Sequence, residues 1–408
     1  MIFEPFKVKG LFMQAKKKAL LSIFLVVFVD LVGFGMIIPI LPYYAESFGA
    51  SATVLGFLMM SYSGMQFLFS PFWGRLSDRV GRRPVLLICI IGIASSMLVL
   101  GFAKSLLWLF IGRVLAGFFG ANISAAQAYI ADVTPPEERA KGMGLIGAAF
   151  GLGFLFGPAL GGFLSQWGYG TVAFAVAGLA VFNFFFAALF LKEPSRKTGR
   201  VSLNKKIWWR VVTRESTGLP ILLFFLVTLG MAQLETSFAY FVLARFGLDA
   251  FHAGMILAGM ALMMALIQGG AIGKLAKQFG EMRLVAVGVL FMVPGLLSAS
   301  FVPHLKLFVL SMLIYVIGYS IVSPSLSSLV SKGGEKDFQG LTMGVYQSAG
   351  SMARILGPVM AGLLYDHLGI AAPFLSACTV FMIALAVQIV KLMTAAKGEA
   401  YADIPDPS

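Results

Sequence analysis

Two charged side chains interrupt long apolar runs of the sequence, Asp30 in the first run and Arg113 in the fourth. A charge in hydrocarbon costs at least about 2.5 kcal/mol, so each should face a cavity or a partner. We expect the two residues to oppose each other. Burial favours the neutral acid and a nearby Arg favours the carboxylate, so this opposition could make Asp30 a switchable proton carrier. Two plainer interpretations stay open: a fixed ion pair, and an Arg113 satisfied by backbone carbonyls.

The second half of the chain also holds ionisable residues within apolar runs, Glu235 and Arg354. Such residues are functional candidates by default, but they could almost equally serve to lock the two halves of the chain together. Arg354 could attract an anionic group of a substrate or neutralise Glu235, and the sequence does not choose. Other polar and aromatic side chains at helical spacing could line a substrate cavity, or equally lie in the core or face lipid. The full set of cavity candidates is Tyr62, Gln66, Ser124, Gln127, Asn183, Glu235, Tyr315, Tyr319, Tyr346, Gln347 and Arg354.

A basic segment, residues 74–83, lies between the second and third apolar runs and reads G-R-L-S-D-R-V-G-R-R. Its cations can face lipid headgroups, and its carboxylate can sit against a helix N-terminus or an Arg. A basic loop is ordinary in a membrane protein, but an acid flanked by fixed glycines is not required by topology. The notable positions are Gly74, Asp78, Arg79, Gly81, Arg82 and Arg83.

A glycine-rich face marks the fifth apolar run: Gly153, Gly157, Pro158, Gly161 and Gly162. Glycine at every fourth residue leaves a groove without side chains, so a neighbouring helix can approach closely. Pro158 is expected to bend the helix. Ordinary close packing accounts for part of this pattern.

The basic segment resembles the loop between helices two and three of the major facilitator superfamily. The resemblance implies that it acts as a latch holding the outward-facing state. Asp78 is then expected to dock at the N-terminal end of helix eleven, near Gly340. One of the loop arginines, Arg79 or Arg82, is expected near Asp132.

The glycine face is similar to the motif that marks the drug/proton antiporters of that superfamily. Arg113 and Gly117 resemble a helix-four motif that the antiporters associate with proton coupling. Residues 30–42 are similar to helix one of tetracycline-type exporters. Those exporters carry acids in helices three and nine, whereas residues 84–103 and 284–303 contain none. Tetracycline itself is therefore not favoured as the substrate.

Twelve apolar runs are long enough, at about 20 residues each, to cross a bilayer as helices. They predict an all-α integral membrane protein with twelve spans. The spans lie near residues 20–42, 54–74, 84–103, 106–131, 141–166, 171–192, 219–243, 252–273, 284–303, 307–331, 340–364 and 371–392.

The basic residues show which side of the membrane the loops occupy. If the loops alternate between two sides, 26 of the 31 Lys and Arg fall on the side of the N-terminus. Lys104, Arg245 and Lys306 fall on the other side, and Arg113 and Arg354 lie within spans. By the positive-inside rule both termini are cytoplasmic. The net charge of +13 therefore reflects the orientation of the chain in the membrane and does not indicate binding of nucleic acid.

An internal repeat divides the chain into two six-helix halves. Residues 143–164 and 343–364 share several identities, including the glycine-proline pair that each contains. The predicted halves are residues 1–192 and 219–408, and residues 193–218 form a cytoplasmic linker.

A short helix is expected within this linker. Its apolar residues Leu203, Ile207, Trp208 and Val211 are spaced for one helix face, which would lie on the anionic leaflet. An irregular basic linker is the alternative.

Composition excludes several classes of function. With 59% hydrophobic and 12% charged residues, the chain is not a water-soluble enzyme. Two cysteines, Cys89 and Cys378, provide neither a disulfide framework nor a thiol metal site. No nucleotide-binding loop is present, so the energy must come from an ion gradient, and no cofactor or metal is expected.

These features together predict a secondary active transporter. We expect a proton-coupled antiporter that exports amphipathic, drug-like compounds by alternating access. Its expected partners are protons, a small-molecule substrate and the lipid bilayer, and it is expected to be a monomer in the cell inner membrane. A symporter or facilitator for a specific metabolite is the alternative, followed by a membrane receptor that transports nothing.

Overall fold

The computed structural model describes residues 5–134, 139–194, 205–270, 272–335 and 339–402, and within these ranges all regular structure is helical. A 3-10 turn, Ser165–Trp167, follows the seventh helix. The α-helices are α1 (Pro5–Ile37), α2 (Leu41–Glu46), α3 (Ala52–Val80), α4 (Arg82–Gly101), α5 (Leu106–Gly120), α6 (Ile123–Val133), α7 (Arg139–Leu164), α8 (Tyr169–Phe190), α9 (Lys205–Thr213), α10 (Glu215–Phe246), α11 (Ala250–Gly270), α12 (Ile272–Phe279), α13 (Glu281–Phe301), α14 (Leu305–Gly333), α15 (Gln339–Leu368) and α16 (Ala372–Ala402).

Eleven stretches of the described residues are long and apolar enough to cross a membrane. They coincide with eleven of the twelve predicted spans. The remaining predicted span, residues 340–364, falls within α15, which is helical over 30 residues. This helix is less apolar because polar side chains such as Gln347 and Arg354 interrupt it.

Two predicted spans are broken in the structure. The first, predicted to reach residue 42, ends at Ile37 and is followed by the short helix α2. Pro39 explains this end, because a proline disfavours helical geometry at the residue before it. The fourth, predicted as one helix over 106–131, consists of α5 and α6, which meet at Ala121 and Asn122.

Packing groups the chain into two compact units. The first comprises Met1–Ser202 and Val242–Ala261, and the second comprises Leu203–Phe241 and Leu262–Ser408. The boundaries predicted at residues 192 and 218 remain predictions from the sequence.

In the first unit, α1 packs against α6, α7 and α8, while α4 packs against α5 and α8. A buried cluster that includes Ile23, Val26, Leu86, Ile90 and Tyr129 fills the space between these helices. Asp30 belongs to α1 and therefore lies on the helix that contacts three others.

In the second unit, α13 packs against α14 and α16, and α15 packs against α14, α16 and α9. The predicted linker helix exists as α9, although residues 195–204, including Leu203, lie outside the described residues. Val211 is buried in a cluster with Val330 and Val345. This residue therefore faces protein and not the lipid leaflet expected from its spacing, because α9 has α15 as a neighbour.

Candidate proton-coupling and substrate sites

Asp30 accepts hydrogen bonds from two asparagines, one in the break between α5 and α6 and one on α8. Asn122 Nδ2 donates to its Oδ2 at 3.0 Å, and Asn183 Nδ2 donates to its Oδ1 at 2.8 Å. Asn183 is fully buried and Asn122 is 5% exposed, whereas Asp30 is only partly buried. Each carboxylate oxygen therefore has one amide donor, in a partly accessible position within a span.

The break in the fourth span brings Asn122 to this site. The last carbonyls of a helix lack partners within the helix, and in hydrocarbon they must find other donors. The neighbouring helix α3 supplies them: Gln66 Nε2 donates to Gly120 O at 2.9 Å, and Trp73 Nε1 donates to Phe118 O at 2.7 Å. The interruption is thus stabilised by side chains of α3.

Arg113 on α5 is buried, at 3% exposed. Its guanidinium carbon stands 4.3 Å from the centroid of the Tyr62 ring, a cation–π arrangement. A Cβ at Gly117 would overlap the Tyr62 backbone, so glycine permits this close approach of α3. Tyr62 and Gln66, predicted as cavity residues, both contact the α5 side of this interface.

The expected opposition of Asp30 and Arg113 stays a prediction. The hydrogen bonds to Asp30 come from neutral amides. The helix break brings Asn122 to the carboxylate. This break is not evident from the hydropathy of residues 106–131.

Other residues of the predicted helix-four face are near the break. Ser124 Oγ donates to Ser70 O at 3.2 Å and to Ala121 O at 3.0 Å. Gln127 is partly buried on α6. Asn183, predicted as a cavity residue, donates a hydrogen bond to Asp30 in the structure.

The glycine face of α7 lies directly against α1. A Cβ at Gly153 would stand 2.7 Å from Leu31 Cβ, and one at Gly157 would stand 2.6 Å from Gly35 Cα. Gly161 faces the backbone of Met36 in the same way. These three positions tolerate no side chain, because the backbones of the two helices are in contact.

Two other residues of the motif, Pro158 and Gly162, face another helix. A Cβ at Gly162 would stand 3.2 Å from Gly254 Cα, and the carbonyl oxygen of Pro158 would be 2.6 Å from a Cβ at Gly254. The motif therefore packs against the beginning of α11 as well as against α1.

The basic segment at the end of α3 forms a charged network around Arg82. Arg82 Nε lies 2.9 Å from Asp132 Oδ2, and Arg82 Nη1 lies 2.5 Å from Asp78 Oδ1. Of the two arginines expected near Asp132, Arg82 makes this contact. Asp78 has a 60% exposed side chain, and Arg79 is also exposed. A Cβ at Gly74 would be in ordinary contact with Ser124, at 3.8 Å.

Glu193 binds the N-terminus of α4, a role that sequence analysis missed. Its two carboxylate oxygens accept from the backbone N–H groups of Arg82 at 2.7 Å and Arg83 at 2.9 Å. The first turn of α4 contains no acid of its own, so the free N–H groups there take an acid from elsewhere in the chain. Gly81 adopts φ +124°, and a Cβ there would lie 2.9 Å from Glu193.

A cluster of tyrosines and charges lies in the second unit. The Tyr319 hydroxyl is within electrostatic range of Arg354 and Glu235. Tyr315 stacks on Tyr319, with ring centroids 6.3 Å apart, and Tyr346 stacks on a phenylalanine of α10 at 3.8 Å. Gln347, also predicted as a cavity residue, is exposed.

Gln233 on α10 is a buried polar residue that sequence analysis did not select. It is 0% exposed, and neither its amide nitrogen nor its amide oxygen has a hydrogen-bond partner among the described residues. The Tyr315 hydroxyl is likewise buried and has no hydrogen-bond partner among the described residues. Buried polar groups in proteins normally have partners, so these atoms are candidates to bind a ligand.

The loop between α10 and α11 carries an acid paired with a histidine. The backbone N–H of His252 donates to Asp249 Oδ1 at 3.0 Å, and His252 Nδ1 lies 2.6 Å from the same oxygen. Partial burial acts to raise the pKa of Asp249, but the hydrogen bonds from His252 and its charge lower that pKa overall.

Comparison with known proteins identifies the family. A family model described as Major Facilitator Superfamily matches residues 23–358. The chain belongs to this superfamily. It is 32% identical over 351 residues to the class B tetracycline resistance protein of Escherichia coli, covering 83% of this chain and 86% of that protein. It is 27% identical over 379 residues to multidrug resistance protein 1 of Bacillus subtilis (strain 168), and this match covers 92% of this chain and 96% of that protein.

A solved structure with the same fold is the human organic anion transporter MFSD10, with a TM-score of 0.71 and 26% identity. The match covers 91% of this chain and 99% of that one. This major facilitator is therefore a multi-pass membrane transporter and not an enzyme. Its candidate coupling residues, Asp30 and Arg113, belong to the first unit, whereas Glu235, Tyr319 and Arg354 belong to the second.

Proposed function

We propose that this transporter is a proton-coupled antiporter that exports amphipathic, drug-like compounds. The observation that carries the proposal is the carboxylate of Asp30, which is held by two neutral amides within a span. An ionised carboxylate in hydrocarbon is costly, so binding a proton relieves that cost. The Asp30 side chain is only partly buried by protein.

The direction of transport is proposed from relatives and from packing. The relatives include proteins described as conferring tetracycline and multidrug resistance. The glycine face of α7, which resembles the antiporter motif, supports exchange over symport. In this proposal the protein lies in the cell inner membrane as a monomer with both termini in the cytoplasm.

Energetics limit what one proton can achieve. A charge that crosses 100 mV supplies about 2.3 kcal/mol, and a tenfold concentration difference costs about 1.4 kcal/mol. One proton exchanged for a neutral solute can therefore sustain a gradient of a few tens-fold.

The second unit supports a substrate with both apolar and polar groups. Tyr315, Tyr319 and Tyr346 offer aromatic surface, while Arg354 and Glu235 offer charges of both signs within range of Tyr319. The relative MFSD10 is described as an organic anion transporter. Anionic compounds therefore belong in the substrate panel beside cationic and neutral ones.

The test is flux into proteoliposomes with an imposed pH gradient, using that panel and including tetracycline. An antiporter moves substrate against the proton flow. Accumulation of substrate together with protons would establish a symporter, and movement that ignores the pH gradient would establish a facilitator. A receptor would move nothing.

We also propose that the basic segment of residues 74–83 acts as a conformational latch. The network of Arg82 with Asp78 and Asp132 holds the segment in one shape and leaves Asp78 exposed. Gly340, near which Asp78 is expected to dock, belongs to the first turn of α15, and residues 336–338 just before it lie outside the described residues. Asp78→Asn should slow transport without abolishing substrate binding, since a charge at a helix terminus contributes about 0.3 to 2 kcal/mol.

A further inference from the structure

Asparagine is rare in this chain, and its use is concentrated at one site. The sequence contains three asparagines, Asn122, Asn183 and Asn204. Two of them donate to the two oxygens of Asp30, although they come from different elements. A random distribution of three asparagines would rarely bring two of them to the same carboxylate.

We propose that Asn122 and Asn183 are positioning residues that hold the ionised form of Asp30, and that the Asn183 amide rotates when Asp30 binds a proton. The inference deepens the proposed function and rests on it, since it gives Asp30 the proton. It assigns to the two amides a preference between the charge states of Asp30.

The preference follows from the direction of the hydrogen bonds. Both amides point their N–H groups at the carboxylate, and such bonds are stronger when the acceptor is ionised. Protonation turns one carboxyl oxygen into a donor, which then faces another donor. One of the two amides must therefore present its oxygen instead.

Asn183 has an oxygen ready for this exchange. Its Oδ1 is buried and has no hydrogen-bond partner among the described residues. Rotation of the amide would direct this oxygen to the protonated Asp30. The same rotation would break the bond that Asn183 Nδ2 makes to Val26 O at 2.9 Å, which joins α8 to α1. Proton binding would thereby loosen one contact between the two helices.

The surroundings of Asp30 bear on this titration. Cys89 of α4 lies within electrostatic range of the carboxylate. The helix α7 presents Gly153 and Gly157 to α1, and Arg113 from α5 stacks on Tyr62. The amides are therefore the close polar partners that can discriminate between the two charge states.

The test uses the small number of asparagines. Protein labelled with nitrogen-15 only in asparagine has three side-chain amide groups, which Asn122→Ala and Asn183→Ala assign. In a pH titration by NMR, the Asn122 and Asn183 signals should shift together with one midpoint, and the Asn183 signals should shift more. Asn204 is the internal control, and Asp30→Asn should remove the shift.

Substitutions give a second measurement, the pH midpoint of efflux. Loss of a hydrogen bond to a charged group corresponds to about one pH unit, so Asn122→Ala and Asn183→Ala should each move that midpoint upward by about one unit. The upward direction follows because the lost donors favoured the ionised acid. Asn204→Ala is the matched control, because it makes the same substitution at the third asparagine of the chain, in the predicted linker.

The two levels of the proposal can fail separately. Asparagine signals that do not titrate, or an efflux midpoint that Asn122→Ala leaves unchanged, would overturn the positioning role even if Asp30→Asn abolishes coupling. Full proton-driven efflux by Asp30→Asn would overturn the proposed function, even if both signals titrate. The shifts themselves are measured on the unaltered protein, and the alanine variants serve only to assign the signals.

Discussion

At the residue scale, Asp30 is distinguished by its neutral partners within a span. We expect Asp30→Asn to reduce pH-driven efflux at least tenfold, because the amide cannot release a proton. The variant should still insert into the membrane and bind substrate. Asp249→Asn is the matched control, since Asp249 is an acid on the loop before α11, and it should retain efflux. Flux in proteoliposomes measures both variants.

Gln233 leads to a different prediction at the same scale. Burial of an amide without partners costs about 1 to 3 kcal/mol, so Gln233→Leu should stabilise the protein by an amount of that order. If the amide binds substrate, the same variant should lose affinity. Thermal unfolding and substrate binding by the purified protein measure the two effects. A variant that is both less stable and unchanged in affinity would contradict this assignment.

At the element scale, the contact of α1 with α7 depends on glycine at defined positions. Gly157→Ala would place a Cβ 2.6 Å from Gly35 Cα, and overpacking of this kind costs about 1 to 3 kcal/mol. Gly151→Ala, on the same helix, meets no atom within 4 Å and should be neutral or stabilising. Thermal unfolding of both purified variants tests the contrast. Equal unfolding temperatures would show that the helices are not in contact at Gly157.

A second comparison of elements concerns two ion pairs with reversed charges. Arg82 at the start of α4 pairs with Asp132 of α6, whereas Glu281 at the start of α13 pairs with Lys332 of α14. Both side chains of the first pair are about one-sixth exposed, at 15% and 16%, while Lys332 is 67% exposed.

The two pairs should therefore differ in strength. Arg82→Ala leaves a mostly buried acid and should cost about 1.5 to 3 kcal/mol. Glu281→Ala removes a pair with an exposed lysine and should cost less than about 1 kcal/mol. Unfolding by heat in the same detergent compares the two variants, and the reverse order of stability would refute the assignment.

At the scale of the whole molecule, the charge distribution predicts the topology. The chain has two cysteines, Cys89 and Cys378, and both are buried. Replacing them gives a background without native thiols. An impermeant thiol reagent added to intact cells should label Lys104→Cys and Lys306→Cys. It should label Lys192→Cys only after the membrane is opened. Labelling of Lys192→Cys in intact cells would place the termini on the other side.

The helices were largely predictable because hydropathy is a local property of the chain. Eleven predicted spans coincide with apolar helices, and the proline at residue 39 accounts for the early end of α1. The break at Ala121 and Asn122 was not predictable. No proline or charge marks it, and it is stabilised by donors from α3, which is distant in sequence.

The sequence by itself determined the types and spacing of the site residues: an acid in the first span, the glycine face of α7, and the basic segment near Asp132. Only the tertiary structure decided their partners. Asp30 binds Asn122 and Asn183, which lie 92 and 153 residues away, and α4 takes its N-terminal acid from Glu193. Such contacts depend on how several helices are rotated about their axes, which hydropathy and spacing within one helix do not specify.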